Sequence, residues 1–159
     1  MSFSGRLNLK MDPKGRFRLP STFASGVSEK DQREGQIHLV ITNSIYKGEK
    51  CLDVYTESEW ELLTQRMSKL PAFDTHVQAF QRFYLASAHK VVLDAQGRML
   101  TPTVLREFAA LSANVVVIGM GSKFEIWDEA AWNKVYGDIS QNYDEILQAV
   151  SRLSQEKES

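Results

Sequence analysis

The sequence predicts an α+β fold made from two copies of one strand-turn-strand unit with flanking helices, and three observations carry that expectation. Residues 9–23, "LKMDPKGRFRLPSTF", lie over 91–105, "VVLDAQGRMLTPTVL", so that Asp12, Gly15, Arg16 and Pro20 meet Asp94, Gly97, Arg98 and Pro102 at one offset of 82 residues. "LDVYTESEW" (52–60) lies over "FEIWDEAAW" (124–132) at an offset of 72, pairing Tyr55 with Trp127 and Trp60 with Trp132. The same features in the same order twice point to duplication. The first copy has the longer middle, holding "SEKDQREGQ" and "NSIYKGEK". Third, apolar and polar residues alternate with period two on both sides of the first Asp-x-x-x-Arg turn.

The elements follow in order. Leu7, Leu9 and Met11 alternate with Asn8, Lys10 and Asp12, which makes a half-buried strand. Asp12-Pro13-Lys14-Gly15 carries the residue preferences of a type I turn, so the chain reverses there into a hairpin. On the returning strand Phe17 and Leu19 face one way, Arg16 and Arg18 the other. Pro20 lacks the donor a ladder needs and suits the start of a short helix. "IHLVIT" and "CLDVY" read as a strand pair, and Thr56 with Glu59 as a capping box that opens a helix over about 57–70, burying Trp60, Leu63, Met67 and Leu70. A second helix over about 75–87 carries Val77, Phe80, Phe83 and Tyr84 and bridges the copies. After the second turn Thr101 caps a helix with Pro102 at its first position and an apolar stripe of Val104, Leu105, Phe108 and Leu111. "NVVVIG" and "KFEIW" form a further strand pair. Helical spacing then runs from Trp132 to Leu153, with Gly137-Asp138 as the expected break. The part beyond Tyr143 either covers the core or contacts another subunit. The organisation expected is one structural unit over 1–159: repeat one about 5–56, a helical linker about 57–86, repeat two about 87–130, and a C-terminal helix about 129–157.

The chain of 159 residues is 43% hydrophobic and 25% charged, enough for one packed core and too balanced for disorder. No run of eighteen apolar residues occurs and the N-terminus lacks a signal-peptide pattern, so a cytoplasmic location is expected. A net charge of −1 argues against a protein that coats nucleic acid through bulk charge. Its distribution is polarised instead. Residues 1–18 carry five basic side chains, Arg6, Lys10, Lys14, Arg16 and Arg18, against Asp12 alone, and the C-terminal stretch is acidic. Cys51, the single cysteine, reads as a buried thiol, and no disulfide framework is possible. His38, His76 and His89 have no metal-ligand spacing, and neither a phosphate loop nor a nucleophile elbow is present, so no enzyme, cofactor, metal or small-molecule substrate is expected. Trp60, Trp127 and Trp132 belong to apolar stripes and read as core, not as a base-stacking platform.

The markers "MDPKGRFRLPSTF", "EWELL" before "LPAFD", "QRFYLASAHKVVLDAQGR" and "VVVIGMGSKFEIWDEAAW" together closely resemble the MraZ family. That resemblance implies a pseudo-twofold swapped-hairpin, double-psi-like β-barrel of two AbrB-like repeats. It further implies a transcriptional regulator, expected to repress, of the bacterial division and cell-wall gene cluster. Such a regulator works at the nucleoid, as a closed ring that presents Asp-x-x-x-Arg turns to short direct DNA repeats in its own promoter. Arg16 and Arg98 occupy the motif arginines, and Lys14, Arg18, Lys10 and Arg6 are further DNA-binding candidates. Asp12, Gly15, Asp94 and Gly97 are structural: the carboxylates close the turns or orient the arginines, and the glycines supply a left-handed backbone angle. Opposite Lys10, Lys14 and Arg18 stand Val92, Gln96 and Leu100, so the first turn is expected to dominate. A ring-forming scaffold that binds an acidic protein partner is the alternative, separable from a DNA reader by salt and sequence dependence.

Overall fold

Neither Asp-x-x-x-Arg turn closes the hairpin expected of it, and the reason is where the flanking strands find partners. In the computed structural model, which describes residues 2–158, the turn itself is closed by Asp12 N–H to Arg16 O (2.8 Å) and Gly15 N–H to Asp12 O (3.0 Å). Beyond it the two strands part. Strand β1 (Arg6–Lys10) bonds to β8 (Asn114–Gly119), and β2 (Arg16–Arg18) bonds to β7 (Arg98–Leu100), so each strand of the first copy joins one from the second. The second turn does the same: β6 (His89–Val92) pairs with β4 (Gln36–Tyr46).

The result is a mixed α+β architecture with two antiparallel sheets. In the larger one the order is β1-β8-β9-β5-β4, with β9 at Lys123–Asp128 and β5 at Glu49–Thr56; β6 and the short β3 (Gln32–Arg33) follow one another along the outer edge of β4. The smaller sheet is the β2-β7 ribbon. Apart from the short β3, exchanging the two halves leaves this pairing scheme unchanged. Phe17 faces Met99 across the ribbon and Asp53 faces Glu125 across β5 and β9, which are residues related by the offsets of 82 and 72. The main core fills the space between the sheets with Phe17, Met99, Leu52, Val54, Phe124 and Ile126, all 2% exposed or less. A second cluster, Cys51, Val116, Trp127, Trp132 and Val135, lies on the opposite face of the large sheet.

Helix boundaries follow local chemistry with four corrections. The helix α1 (Ser21–Ala24) starts after Pro20, and α2 (Glu57–Ser68) is capped by Thr56, whose hydroxyl accepts from Glu59 N–H at 3.3 Å. Buried Asp31 adds a second acceptor there, taking Ser58 N–H at 2.8 Å. Leu70, expected inside, is exposed, because α2 ends two residues earlier. The bridging helix is not one α-helix over 75–87. It runs as α3 (Thr75–Phe80) and then widens into a π-helical turn over Gln81–Leu85, which turns Tyr84 into the protein.

Thr101 does not cap α4 (Thr103–Phe108). Its N–H is drawn into the ribbon, donating to Gly15 O at 2.9 Å, and its side chain is buried at the place Leu19 fills in the first copy. Val104 points to solvent instead of joining the apolar stripe. The C-terminal helix breaks at Asn142, not at Gly137-Asp138. Helix α5 (Glu129–Gln141) runs through Gly137, a residue that costs a helix only about 1 kcal/mol. Asn142 leaves helical geometry and bonds its side chain back to Asp138 O. After it, α6 (Tyr143–Glu158) exposes Tyr143, Leu147, Val150 and Leu153, so it does not cover the core.

Candidate nucleic-acid interface

Both turns are built on one carboxylate template. Asp12 Oδ1 accepts the N–H groups of Lys14 (3.0 Å) and Arg16 (2.9 Å), while Oδ2 takes Arg16 Nε at 2.8 Å. Asp94 repeats this with Gln96 N–H (2.9 Å), Arg98 N–H (2.9 Å) and Arg98 Nε (2.8 Å). Each aspartate therefore closes its turn and grips its arginine by the inner nitrogen. The guanidinium tips remain reachable, with the Arg16 and Arg98 side chains 33% and 38% exposed. The backbone N–H of Arg16, ahead of its side chain, holds the Asp12 carboxyl below its ordinary value, and Arg98 does the same for Asp94. Each carboxylate so lends its turn stability that is present above the unfolded Asp value and is lost as pH falls through the lowered one.

The β2-β7 ribbon brings the two motifs onto one surface. Arg18 stands opposite Arg98 and Arg16 opposite Leu100, with Phe17 and Met99 filling the inner face. Like charges directly opposite in a sheet disfavour folding, by about 0.2–1 kcal/mol. Stability alone gives no reason to keep this pair. Lys14 extends from the first turn into solvent. Lys10 sits beside the ribbon on β1 with Nζ donating to Asn114 Oδ1. Arg6 stands apart: four residues back along β1, about 13 Å at strand rise, it lies over the Trp132 and Tyr136 rings at 5.8 and 5.7 Å. Trp127 and Trp132 are buried and Trp60 half-buried.

Arg106 belongs to the site too, although the sequence offered no sign of it. Its Nη1 donates to Pro13 O at 3.3 Å, and its guanidinium covers Gly15. The signal was hidden because α4 meets the first turn only through the β2-β7 pairing. Gly15 and Gly97 both hold positive φ, +88° and +76°, but a Cβ on Gly15 would stand 2.5 Å from Arg106 Nη1 and 3.2 Å from Thr101 O, whereas one on Gly97 meets nothing within 4 Å. Gly97→Ala should cost about 1–2 kcal/mol for its left-handed backbone. Gly15→Ala should cost somewhat more in a urea-denaturation midpoint, because the Thr101 carbonyl 3.2 Å from the new Cβ is backbone and must give, while the Arg106 tip can swing aside.

On the far side of the large sheet lies a polar network around buried Asp53. Among the described residues the group of ligand-type atoms close enough to hold a metal ion is Cys51, Asp53 and Glu125. A side-chain cation already stands beside it: Lys123 Nζ lies 2.9 Å from Asp53 and 3.6 Å from Glu125. Asp53 also accepts Tyr84 Oη (2.5 Å), which meets Tyr55 Oη at 2.6 Å, and Trp127 Nε1 donates to Glu125 at 3.0 Å. Burial pushes the Cys51 thiol and the Glu125 carboxyl up. Burial alone would lower the Lys123 ammonium, but the Asp53 carboxylate and its hydrogen bond leave it above its ordinary value. His89 Nδ1 lies 2.8 Å from Ser87 O.

The chain is similar to known proteins over most of its length. Residues 84–156 match the family model described as "MraZ protein, putative antitoxin-like". The chain is 33% identical over 151 residues to a protein named transcriptional regulator MraZ from Alkaliphilus oremlandii, covering 95% of this chain and 98% of that one. A protein of the same name from Acetivibrio thermocellus is 34% identical over 151 residues, at the same coverage of 95% and 98%. One from Legionella pneumophila (strain Corby) is 38% identical over 130 residues, 82% of each chain.

Proposed function

The chain belongs to the MraZ family, and from that premise we propose that it is a sequence-specific DNA-binding transcriptional regulator that reads short direct repeats in its own promoter. Its targets are the division and cell-wall genes, and it acts in the cytoplasm at the nucleoid. One observation carries the reading. The two aspartates turn Arg16 and Arg98 by their inner nitrogens, so that forked donors face outward on a single ribbon beside Arg18. Such a fork fits the O6/N7 edge of guanine or a phosphate, and Lys14 and Lys10 add point charges along the backbone path. Arg6, engaged with α5, contributes little.

In this reading the interlocked pairing is the swapped-hairpin, double-psi-like barrel of the family, and several subunits join into a ring. The apolar seam of α6, with Tyr143, Leu147, Val150 and Leu153 about half to two-thirds exposed, supports self-association. A ring raises the effective concentration of every turn once one is bound, so weak single contacts sum over repeated sites. No helix among the described residues is long and apolar enough to cross a membrane.

A gel-shift titration with the DNA preceding the chain's own gene tests this. Affinity should fall steeply with salt, with a log-log slope of about −0.9 per phosphate neutralised, and should depend on repeat spacing. Binding that ignores both sequence and spacing, or a tighter complex with an acidic protein, would reject the reading.

A further inference from the structure

Among the described residues Arg106 is a cation without an anionic partner, placed beside the first DNA-facing turn. It projects from α4, and Thr101, two residues before that helix, is tied to the turn by its N–H to Gly15 O at 2.9 Å. Its two side-chain contacts are long and go to neutral oxygens, Pro13 O at 3.3 Å and Thr103 Oγ1 at 3.5 Å. A guanidinium carries five N–H donors, so most of them stay open. The neighbouring acids do not claim it. Asp12 is committed to Arg16 and to two backbone N–H groups, and Glu107 is exposed on the next position of the helix. Arg106, Asp12, Pro13 and Glu107 line an open groove of about 440 Å³ beside the turn.

The second turn has no counterpart. At the offset of 82 that relates the copies, Ala24 takes the place of Arg106, and the space over Gly97 is empty to 4 Å. The asymmetry is therefore more than a difference in surface lysines. It is a guanidinium laid along the backbone of one turn and missing from the other.

We propose that Arg106 is a second DNA-contacting arginine of the first turn, positioning it through Pro13 O and offering its free donors to a backbone phosphate next to the site of Arg16. This rests on the DNA-binding reading above. Arginine suits the task because its planar fork keeps a fixed geometry while bonded on one side, which a lysine cannot do. A phosphate contact is blind to sequence, so it would raise affinity evenly and leave base preference to Arg16.

The test uses the full chain, its own upstream DNA and a scrambled duplex of equal length, with Arg16→Ala as reference. Arg106→Gln removes the charge together with the guanidinium that reaches Pro13 O; Arg106→Lys restores the charge without the fork. The glutamine variant should bind both duplexes more weakly by the same factor. Its salt slope should be shallower by about 0.9 for each first turn engaged, and lysine should recover the slope. Hydrogen exchange at the Gly15 amide checks the positioning role, which predicts faster exchange in both variants. If Arg16→Ala loses binding while Arg106→Gln keeps wild-type affinity and slope, this inference fails and the DNA-binding reading stands. A glutamine variant that binds weakly at an unchanged slope reduces Arg106 to a structural prop and overturns the phosphate contact. If Arg16→Ala also binds as wild type, the underlying reading fails.

Discussion

Arg16→Ala is expected to remove most binding to the repeated sites while leaving the fold and its assembly intact. The loss is about 1–3 kcal/mol for each bidentate contact, compounded over every turn engaged at once. The fold should survive because, among the described residues, the Arg16 side chain is held by Asp12 alone, in a pair one-third exposed on both sides. Exposed pairs of this kind contribute little to stability. Asp12 would keep the two backbone N–H bonds that close the turn. Arg98→Ala should hurt less. The Arg98 tip is partly occupied by Gln96 Oε1, 3.5 Å from Nη2, and its turn lacks the flanking lysines and Arg106. Gel-shift titration of both variants, with size-exclusion chromatography for the assembly, decides the matter. Equal losses would overturn the inequality of the turns.

The second large effect is expected far from the DNA, at Lys123. Where the halves meet, duplication sets Asp53 against Glu125 across β5 and β9, two acids in a place with little water. Asp53 is 1% exposed. Lys123, whose equivalent in the first copy is Cys51, supplies the charge that makes this arrangement tolerable. Lys123→Met should cost about 3 kcal/mol, near the lower end for removing one partner of a buried pair, since the lysine side chain is 23% exposed. Asp53→Leu added to Lys123→Met should recover part of that loss, because one of the two acids is gone, while Glu125 keeps no cation and Tyr84 Oη loses its acceptor. Urea denaturation of the two single variants and the double gives the coupling. A loss below about 1 kcal/mol for Lys123→Met would show that the acids do not need the cation.

Much of this was legible in the residues. The Asp-Pro-Lys-Gly turn, the alternation of Phe17 and Leu19 against Arg16 and Arg18, and the Thr56 cap are set by contacts within about four residues, where backbone preferences act directly. The errors have local explanations as well. Thr101 has good capping chemistry, but its place in the ribbon, with N–H on Gly15 O, buries its hydroxyl away from the helix N–H groups. Gly137 is a weak helix former in a stretch where Trp132, Val135 and Ile139 pack on the sheet, and that burial outweighs it.

From the sequence alone came the doubled turn, the identity of the arginines and the inequality of their surroundings, all of which depend on neighbours in the chain. Only the tertiary structure decided that each strand leaves its turn for a partner in the other half, that Arg18 and Arg98 share one face, and that Arg106 reaches across to Gly15. It also revealed that Lys123 settles the charge of Asp53 and Glu125. The physical reason is that a β-strand states which of its faces is apolar but not which edge it will bond to. That choice is made by burial and hydrogen bonding between segments about eighty residues apart.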